Sequence, residues 1–285
     1  MTISKVGVLG AGQMGGGIAQ IAAQAGFQVI LNDVEMTFVD KAFNRIETFF
    51  NKSIEKGKIT EEQKKEVLGR IAPSTNMADL SDVDLVIEAV VEDLELKKKV
   101  FGELDKICKP EAYLATNTSS MPITVLASAT KRPERVAGMH FFNPPPLMKL
   151  VEVIRGYFTS NETVEAISKV AQKMGKTAVE VKKDSPGFIV NRIMMAHYIE
   201  AIRLVEEGVA SPSDIDTAVK LGLNYPMGPF ELNDFTGTDI GYFVANYFYE
   251  EFKDPRWNPP QTLKALIRAG RLGKKTGAGW YDYNN

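Results

Sequence analysis

From residue 3 to about residue 181, short runs rich in Val, Ile and Leu alternate with stretches whose apolar residues recur every three or four positions. The first pattern is that of buried strands and the second that of amphipathic helices, and their alternation is the form of a mostly parallel sheet covered by helices. The strand candidates are residues 5–9, 28–32, 85–89, 113–116, 136–140, 150–154 and 178–181. Between the second and third lies a helical insertion, residues 38–70, in which Phe43, Ile46, Phe49, Phe50 and Ile54 recur at helical spacing. Gly57 is placed to end its first helix and Thr60-Glu61-Glu62 to open a second, which makes a helical hairpin.

The character changes at Asp184-Ser185-Pro186-Gly187, where an N-cap candidate is followed by Pro near a first helical position and then by a helical pattern to about Glu207. Beyond it the pattern is of helices broken by Gly and Pro, with N-cap candidates at Ser211 or Ser213 and at Asn233, and a closing strand candidate at residues 280–283. The expected organisation is an α/β domain over residues 1–183, a doubly wound, mostly parallel sheet with a helical hairpin insertion, followed by a smaller all-helical domain over residues 184–285.

A chain of 285 residues is long enough for two such cores. Its net charge of −2 gives no general attraction to nucleic acid or to an anionic membrane, so any anionic ligand has to be held by local charges. Cys108 is the single cysteine, which excludes an intrachain disulfide and any multi-cysteine metal site, and no metal is expected. Apolar runs such as residues 83–91 are interrupted by Asp84 and Glu88 and fall short of the roughly 20 residues of a membrane span. The N-terminal residues enter a strand pattern at once, without the charged and apolar regions of a secretion signal, so a cytoplasmic location is the expectation.

Gly10-Ala11-Gly12-Gln13-Met14-Gly15 follows the first strand candidate and opens a helix through Ile18, Ile21 and Ala22. In that setting Gly10 serves the tight turn, Gly12 admits a pyrophosphate to the backbone and Gly15 lets helix and strand pack closely, with the helix N-terminus facing the phosphates. Taken alone the hexapeptide is only a glycine-rich turn. Asp33, at the end of the second strand, adds a carboxylate suited to a ribose 2′-hydroxyl and repulsive to a 2′-phosphate. The order of strand, glycines, helix and acid points to a Rossmann-type domain that binds NAD in preference to NADP.

His140 ends the strand candidate Val136-Ala137-Gly138-Met139-His140, at the carboxyl edge where open α/β sheets place ligands. By itself it is as readily a structural histidine. Glu152 interrupts the apolar Leu150-Val151-Glu152-Val153-Ile154, and an ionised carboxylate there needs a partner to offset its desolvation unless it faces solvent from an edge strand. If the partner is His140, the acid orients the imidazole and fixes its tautomer, leaving a group able to exchange a proton with an alcohol. Thr116-Asn117-Thr118-Ser119-Ser120 and Asn191 are polar groups suited to an oxygen that gains charge, though each alone also reads as a turn cluster or a solvated helix position.

Together Gly10-Ala11-Gly12-Gln13-Met14-Gly15, Ala115-Thr116-Asn117-Thr118-Ser119-Ser120, Gly138-Met139-His140-Phe141-Phe142-Asn143-Pro144, Glu152 and Ser185-Pro186-Gly187-Phe188-Ile189-Val190-Asn191-Arg192 resemble the L-3-hydroxyacyl-CoA dehydrogenases along essentially the whole chain. The likeness extends to Gly228-Pro229-Phe230-Glu231-Leu232 and Thr276-Gly277-Ala278-Gly279-Trp280-Tyr281, and is to the bacterial 3-hydroxybutyryl-CoA branch. The resemblance implies a two-domain enzyme that closes over acyl-CoA and NAD, dimerises through its helical domain, and interconverts (S)-3-hydroxybutyryl-CoA and acetoacetyl-CoA in butyrate and short-chain fatty acid metabolism. It implies His140 as general acid/base, Glu152 as its electrostatic partner, Ser119 and Asn191 as residues holding substrate and imidazole in register, and Glu92, Lys97, Asn143 and Lys274 at the NAD site. Lys52 and Lys56, four apart on the insertion, are candidates for the CoA phosphates with Ser53 beside them, although such a pair is ordinarily a solvated face. His197 falls on a different helix face from Asn191 and is read as structural.

Overall fold

The computed structural model describes residues 2–283. The chain forms two compact units, Met1–Phe188 and Ile189–Asn285. Among the described residues no helix is long and apolar enough to cross a membrane.

The first unit is built on an eight-stranded sheet of order β3-β2-β1-β4-β5-β6-β7-β8. Its strands are β1 Lys5–Leu9, β2 Gln28–Asn32, β3 Ile71–Ser74, β4 Leu85–Glu88, β5 Tyr113–Thr116, β6 Val136–Phe141, β7 Leu150–Ile154 and β8 Thr177–Val181. Neighbours from β3 across to β6 are parallel, β7 runs antiparallel to β6, and β8 is parallel to β7. Strand β3 had no candidate in the sequence pattern. Its four residues include Pro73, which removes a ladder donor, and the strand is tolerated because it lies at the sheet edge.

The helices of this unit are α1 Gln13–Gln24, α2 Met36–Glu55, α3 Glu61–Leu68, α4 Leu94–Ile107, α5 Ile123–Ala127 and α6 Asn161–Lys173. The sheet separates two cores. Ile18, Ile21, Val39, Phe50, Val164 and Ile167 from α1, α2 and α6 belong to the core on the face of the sheet that carries Val6 and Val8. Val100, Phe101 and Leu104 of α4 and Leu126 of α5 pack with Leu9, Val86, Leu114 and Val136 on the other. In the insertion, Val39, Ala42, Ile46 and Phe50 form the buried stripe of α2. Thr60 opens α3 with a reciprocal cap: its hydroxyl accepts from Gln63 N–H, and Gln63 Oε1 accepts from Thr60 N–H.

The second unit comprises α7 Val190–Glu206, α8 Pro212–Gly222, α9 Pro229–Thr236, α10 Thr238–Phe252 and α11 Gln261–Arg268, packed around Tyr198, Ile202, Phe230, Phe248, Trp257 and Leu263. Three sequence expectations are corrected here. Ser185-Pro186 does not open α7, which begins at Val190; the carboxylate of Asp184 instead accepts from Thr124 N–H at 2.8 Å and its hydroxyl at 2.9 Å. Of the two serines, Ser211 caps α8, whereas Asn233 lies inside α9 with its side chain accepting from Tyr198 Oη at 2.7 Å. Residues 280–283 form only an isolated antiparallel bridge, Asp282 with Ala278, and no strand, because Trp280 N–H and Tyr281 N–H donate to the two oxygens of buried Asp234 at 2.9 and 3.0 Å.

The hydroxyl of Tyr283 also donates to Asp234, and Tyr281 Oη donates to the equally buried Asp216, which accepts from Phe230 N–H and Glu231 N–H at the start of α9. Burial together with these carboxylates pushes both phenols well above their usual range. Asp234→Asn replaces an acceptor oxygen by a donor facing other donors, and is expected to destabilise the helical unit by roughly 3 kcal/mol. Trp257 and Trp280 are the two tryptophans of the chain and both belong to that unit, so the urea midpoint read by tryptophan fluorescence should fall.

Candidate active site

The turn from β1 into α1 is shaped by close backbone approach. Gly10 has φ +101°, and a Cβ there would stand 2.5 Å from the carbonyl oxygen of Ala89; a Cβ at Gly15 would stand 1.7 Å from that of Gly10. At Gly12 nothing lies within 4 Å of the same position, so the backbone is open to a ligand. No side chain caps α1 and no acid occupies its first turn, which leaves its N-terminal N–H groups and partial positive charge for an anion. Asp33 follows β2 and accepts from Ala11 N–H at 2.5 Å and Val34 N–H at 2.7 Å, holding its carboxylate beside the turn. The residues present fit a dinucleotide.

Arg45 of α2 was not singled out from sequence. Its guanidinium donates to the carbonyls of Ala11 and Gly12 at 2.8 and 3.1 Å, tying the insertion to the turn. It sits among ordinary surface residues of the helix, and no local pattern marks it.

His140 and Glu152 are register partners across the antiparallel β6–β7 pair. Opposed residues on one face of such a pair have their Cβ atoms roughly 5 Å apart, within reach for these side chains. Nδ1 of His140 lies 2.8 Å from Glu152 Oε2, with the two residues 5% and 1% exposed. The strand β7 is not the sheet edge, so Glu152 does not face solvent. With the proton on Nδ1 donated to the carboxylate, Nε2 becomes the basic nitrogen of the ring. The ring is flanked by Phe142 at 4.6 Å and Phe188 at 5.6 Å between centroids. Asn117, just beyond β5, accepts from Phe141 N–H at 2.9 Å and so steadies the end of β6.

Ser119 lies on the loop after β5, and Glu92 organises that loop. One of its oxygens accepts from Thr118 Oγ1, from Ser119 N–H at 3.2 Å and from Ser120 Oγ at 3.3 Å. Its other oxygen lies 3.3 Å from Lys97 Nζ, which donates at 2.6 Å to Glu88. Lys97 is only 1% exposed, so it bears on this loop through Glu92 and not through a free ammonium. Glu88, wholly buried and absent from the sequence candidates, also accepts from Val90 N–H and from Thr116 Oγ1 at 2.7 Å each.

Gln13 donates to Asn143 Oδ1 at 2.9 Å, joining the glycine-rich turn to the connection after β6. Lys52 is exposed on α2, Lys56 is exposed just past its end, and Ser53 donates back to the Phe49 carbonyl at 2.9 Å. Asn191 and Lys274 belong to the helical unit, where Asn191 lies in the first turn of α7 and Lys274 Nζ stands 5.7 Å from the Phe235 ring and 5.4 Å from that of Tyr283. His197 lines an apolar cavity of about 390 Å³ within that unit, edge-on to Tyr225. Among the described residues no group of three or more His, Cys, Asp or Glu side chains is arranged to hold a metal ion.

The family of 3-hydroxyacyl-CoA dehydrogenase NAD binding domains matches residues 5–185, and that of the corresponding C-terminal domains matches residues 187–283. A probable 3-hydroxybutyryl-CoA dehydrogenase of Deinococcus radiodurans is 49% identical over 279 residues, covering 98% of this chain and all of that protein. The 3-hydroxybutyryl-CoA dehydrogenase of Clostridioides difficile is 45% identical over 98% of this chain and 99% of its own length. The crystal structure of (S)-3-hydroxybutyryl-CoA dehydrogenase PaaH1 from Ralstonia eutropha superposes with a TM-score of 0.97 at 43% identity, each chain covered completely. With an NAD-binding domain, a matching C-terminal domain and full-length relatives, the chain belongs to the 3-hydroxyacyl-CoA dehydrogenase family.

Proposed function

We propose that this chain reversibly oxidises (S)-3-hydroxybutyryl-CoA to acetoacetyl-CoA, within short-chain fatty acid and butyrate metabolism, with His140 as general acid/base and Glu152 as its orienting partner. The observation that carries the mechanism is the buried 2.8 Å contact between His140 Nδ1 and Glu152, which leaves Nε2 as the basic nitrogen. The names of full-length relatives support the substrate. Bound NAD supplies the acceptor for the hydride that leaves C3. His140 Nε2 takes the proton of the 3-hydroxyl, and the carboxylate of Glu152 offsets the positive charge that the imidazole then carries. In the reverse direction the same nitrogen returns the proton to the oxygen.

Gly10, Ala11, Gly12, Gln13, Met14, Gly15 and Asp33 hold the cofactor, with Glu92, Lys97, Ser119, Asn143 and Lys274 assigned to it by family resemblance. Ser119 and Asn191 hold the substrate. Lys52, Ser53 and Lys56 face the CoA phosphates, an assignment supported by the two exposed ammonium groups on an otherwise slightly acidic chain. A homodimer formed through the helical domain is supported by Ile193, Leu221, Phe235 and Phe243, large apolar residues left more than half exposed in that unit. A cytoplasmic site of action is in keeping with a chain whose one cysteine, Cys108, is buried and has no second cysteine to pair with.

His140→Ala is expected to lower the turnover of acetoacetyl-CoA reduction by about 10²–10⁴-fold while leaving NADH affinity within about twofold, because the fingerprint lies on other strands. Unchanged turnover would overturn the assignment. Glu152→Gln keeps the shape of the acid without its charge, and should lower turnover by about tenfold or more and displace the pH–rate profile; a wild-type rate at every pH would refute the pairing. In the same spectrophotometric assay NADH is expected to outperform NADPH by kcat/KM, and Asp33→Ser to narrow the ratio by relieving repulsion of the 2′-phosphate. Equal use of both cofactors by the unaltered chain contradicts the role given to Asp33.

A further inference from the structure

The connection between β6 and β7 contains Pro144-Pro145-Pro146, and proline has no backbone N–H. Such a run can be held by hydrogen bonds only through its carbonyl oxygens, so the donors must come from elsewhere. Leu147 N–H and Met148 N–H donate to the Pro144 carbonyl at 3.0 and 3.1 Å, and Lys176, on the turn between α6 and β8, serves the Pro145 carbonyl. Lys176 is 9% exposed, and its ammonium donates to the carbonyls of Pro145 at 2.6 Å and Met148 at 2.8 Å. Its described partners include no carboxylate. Burial accordingly lowers its pKa, with no ion pair acting in the opposite direction. The neighbouring Thr177 N–H donates to Lys149 at 2.7 Å, so one turn secures both the proline run and the entry to β7.

The same connection leans on the glycine-rich turn. Asn143 accepts from Gln13, and the Pro145 ring lies 3.0 Å from where a Cβ at Gly17 would stand, so the loop packs tightly on that point of α1. Lys176 therefore holds from behind a segment whose front meets the first turns of α1. A buried ammonium held by carbonyls alone, with no carboxylate among its described partners, is an expensive way to secure a loop.

We propose that Lys176 is a positioning residue for the dinucleotide: by holding Pro145 and Met148 it keeps Asn143 against Gln13, in register with the glycine-rich turn. The inference rests on the reading of Gln13 and Asn143 as cofactor-site residues. Lys176 touches neither cofactor nor substrate in this role, and acts through the backbone it holds.

The test is the dissociation constant of NADH for the full chain, read by NADH fluorescence well below the melting temperature, for Lys176→Met, Lys176→Gln and Asn143→Ala. Lys176→Met is expected to raise the constant about tenfold, with the KM for acetoacetyl-CoA at saturating NADH within about twofold of wild type. Lys176→Gln retains one donor group and should give an intermediate value; it carries the test alone if the methionine variant does not fold. Asn143→Ala is expected to weaken NADH binding as well. Wild-type NADH affinity in a folded Lys176 variant, even one with a lowered melting temperature, overturns the proposal. Unaltered affinity in Asn143→Ala overturns the reading beneath it.

Discussion

A carboxylate within an apolar sheet is stable only when donors replace the water it has lost, and the uncompensated penalty is on the order of several kcal/mol. Glu152 sits under this constraint in β7, with His140 as its register partner. The direction of β7 meets the requirement. Because it turns back antiparallel to β6, the residue opposite Glu152 is the one at the C-terminal end of β6, where the parallel part of the sheet presents its functional edge. The link between the strands must then be short and stiff, and it is rich in proline. Leu147 and Met148 N–H serve the Pro144 carbonyl within that link, and Lys176 serves those of Pro145 and Met148 from behind it.

The same rule recurs through the molecule. Glu88 is buried with Lys97, Thr116 and the Val90 amide, and the chain of contacts passes through Glu92 to the loop of Ser119. In the helical unit Asp216 and Asp234 are enclosed by backbone amides and tyrosine hydroxyls. Buried polar groups whose bonds are all directional specify one arrangement more sharply than apolar packing does, since a displaced partner leaves a group unsatisfied. That is a useful property in a dehydrogenase, whose reacting groups have to be held in one geometry.

What was legible in the sequence is what depends on local period and local turn chemistry. The strand pattern located β1, β2, β4, β5, β6, β7 and β8, and the glycine-rich turn that opens α1 was legible from its spacing. The pattern did not reveal β3, whose Ile71-Ala72-Pro73-Ser74 resembles loop, because an edge strand exposes half its bonds and can include a proline. The closing segment alternates like a strand, yet the amides of Trp280 and Tyr281 turn to Asp234, 46 residues away for Trp280. Arg45 and Lys176 act on carbonyls 34 and 31 residues distant in the chain, and nothing near them in sequence announces a carbonyl to be held. Glu152 was detectable because an acid in an apolar strand violates a local rule; a lysine on a polar turn violates none.

The two outer strands of the sheet have a bearing on how the protein survives at high concentration. An open sheet ends in unpaired amides and carbonyls that invite a foreign strand, and sheets without protection at that rim polymerise. On β3 the ring of Pro73 removes one of the donors an incoming strand would use. On β8 the side chain of Glu180 is bound to Arg155 at 2.5 Å, setting a charged pair at the opposite rim. The proline that hid β3 from the sequence pattern is therefore a guard against fibre-like stacking, and a valine at position 73 would make a better strand and a more aggregation-prone protein.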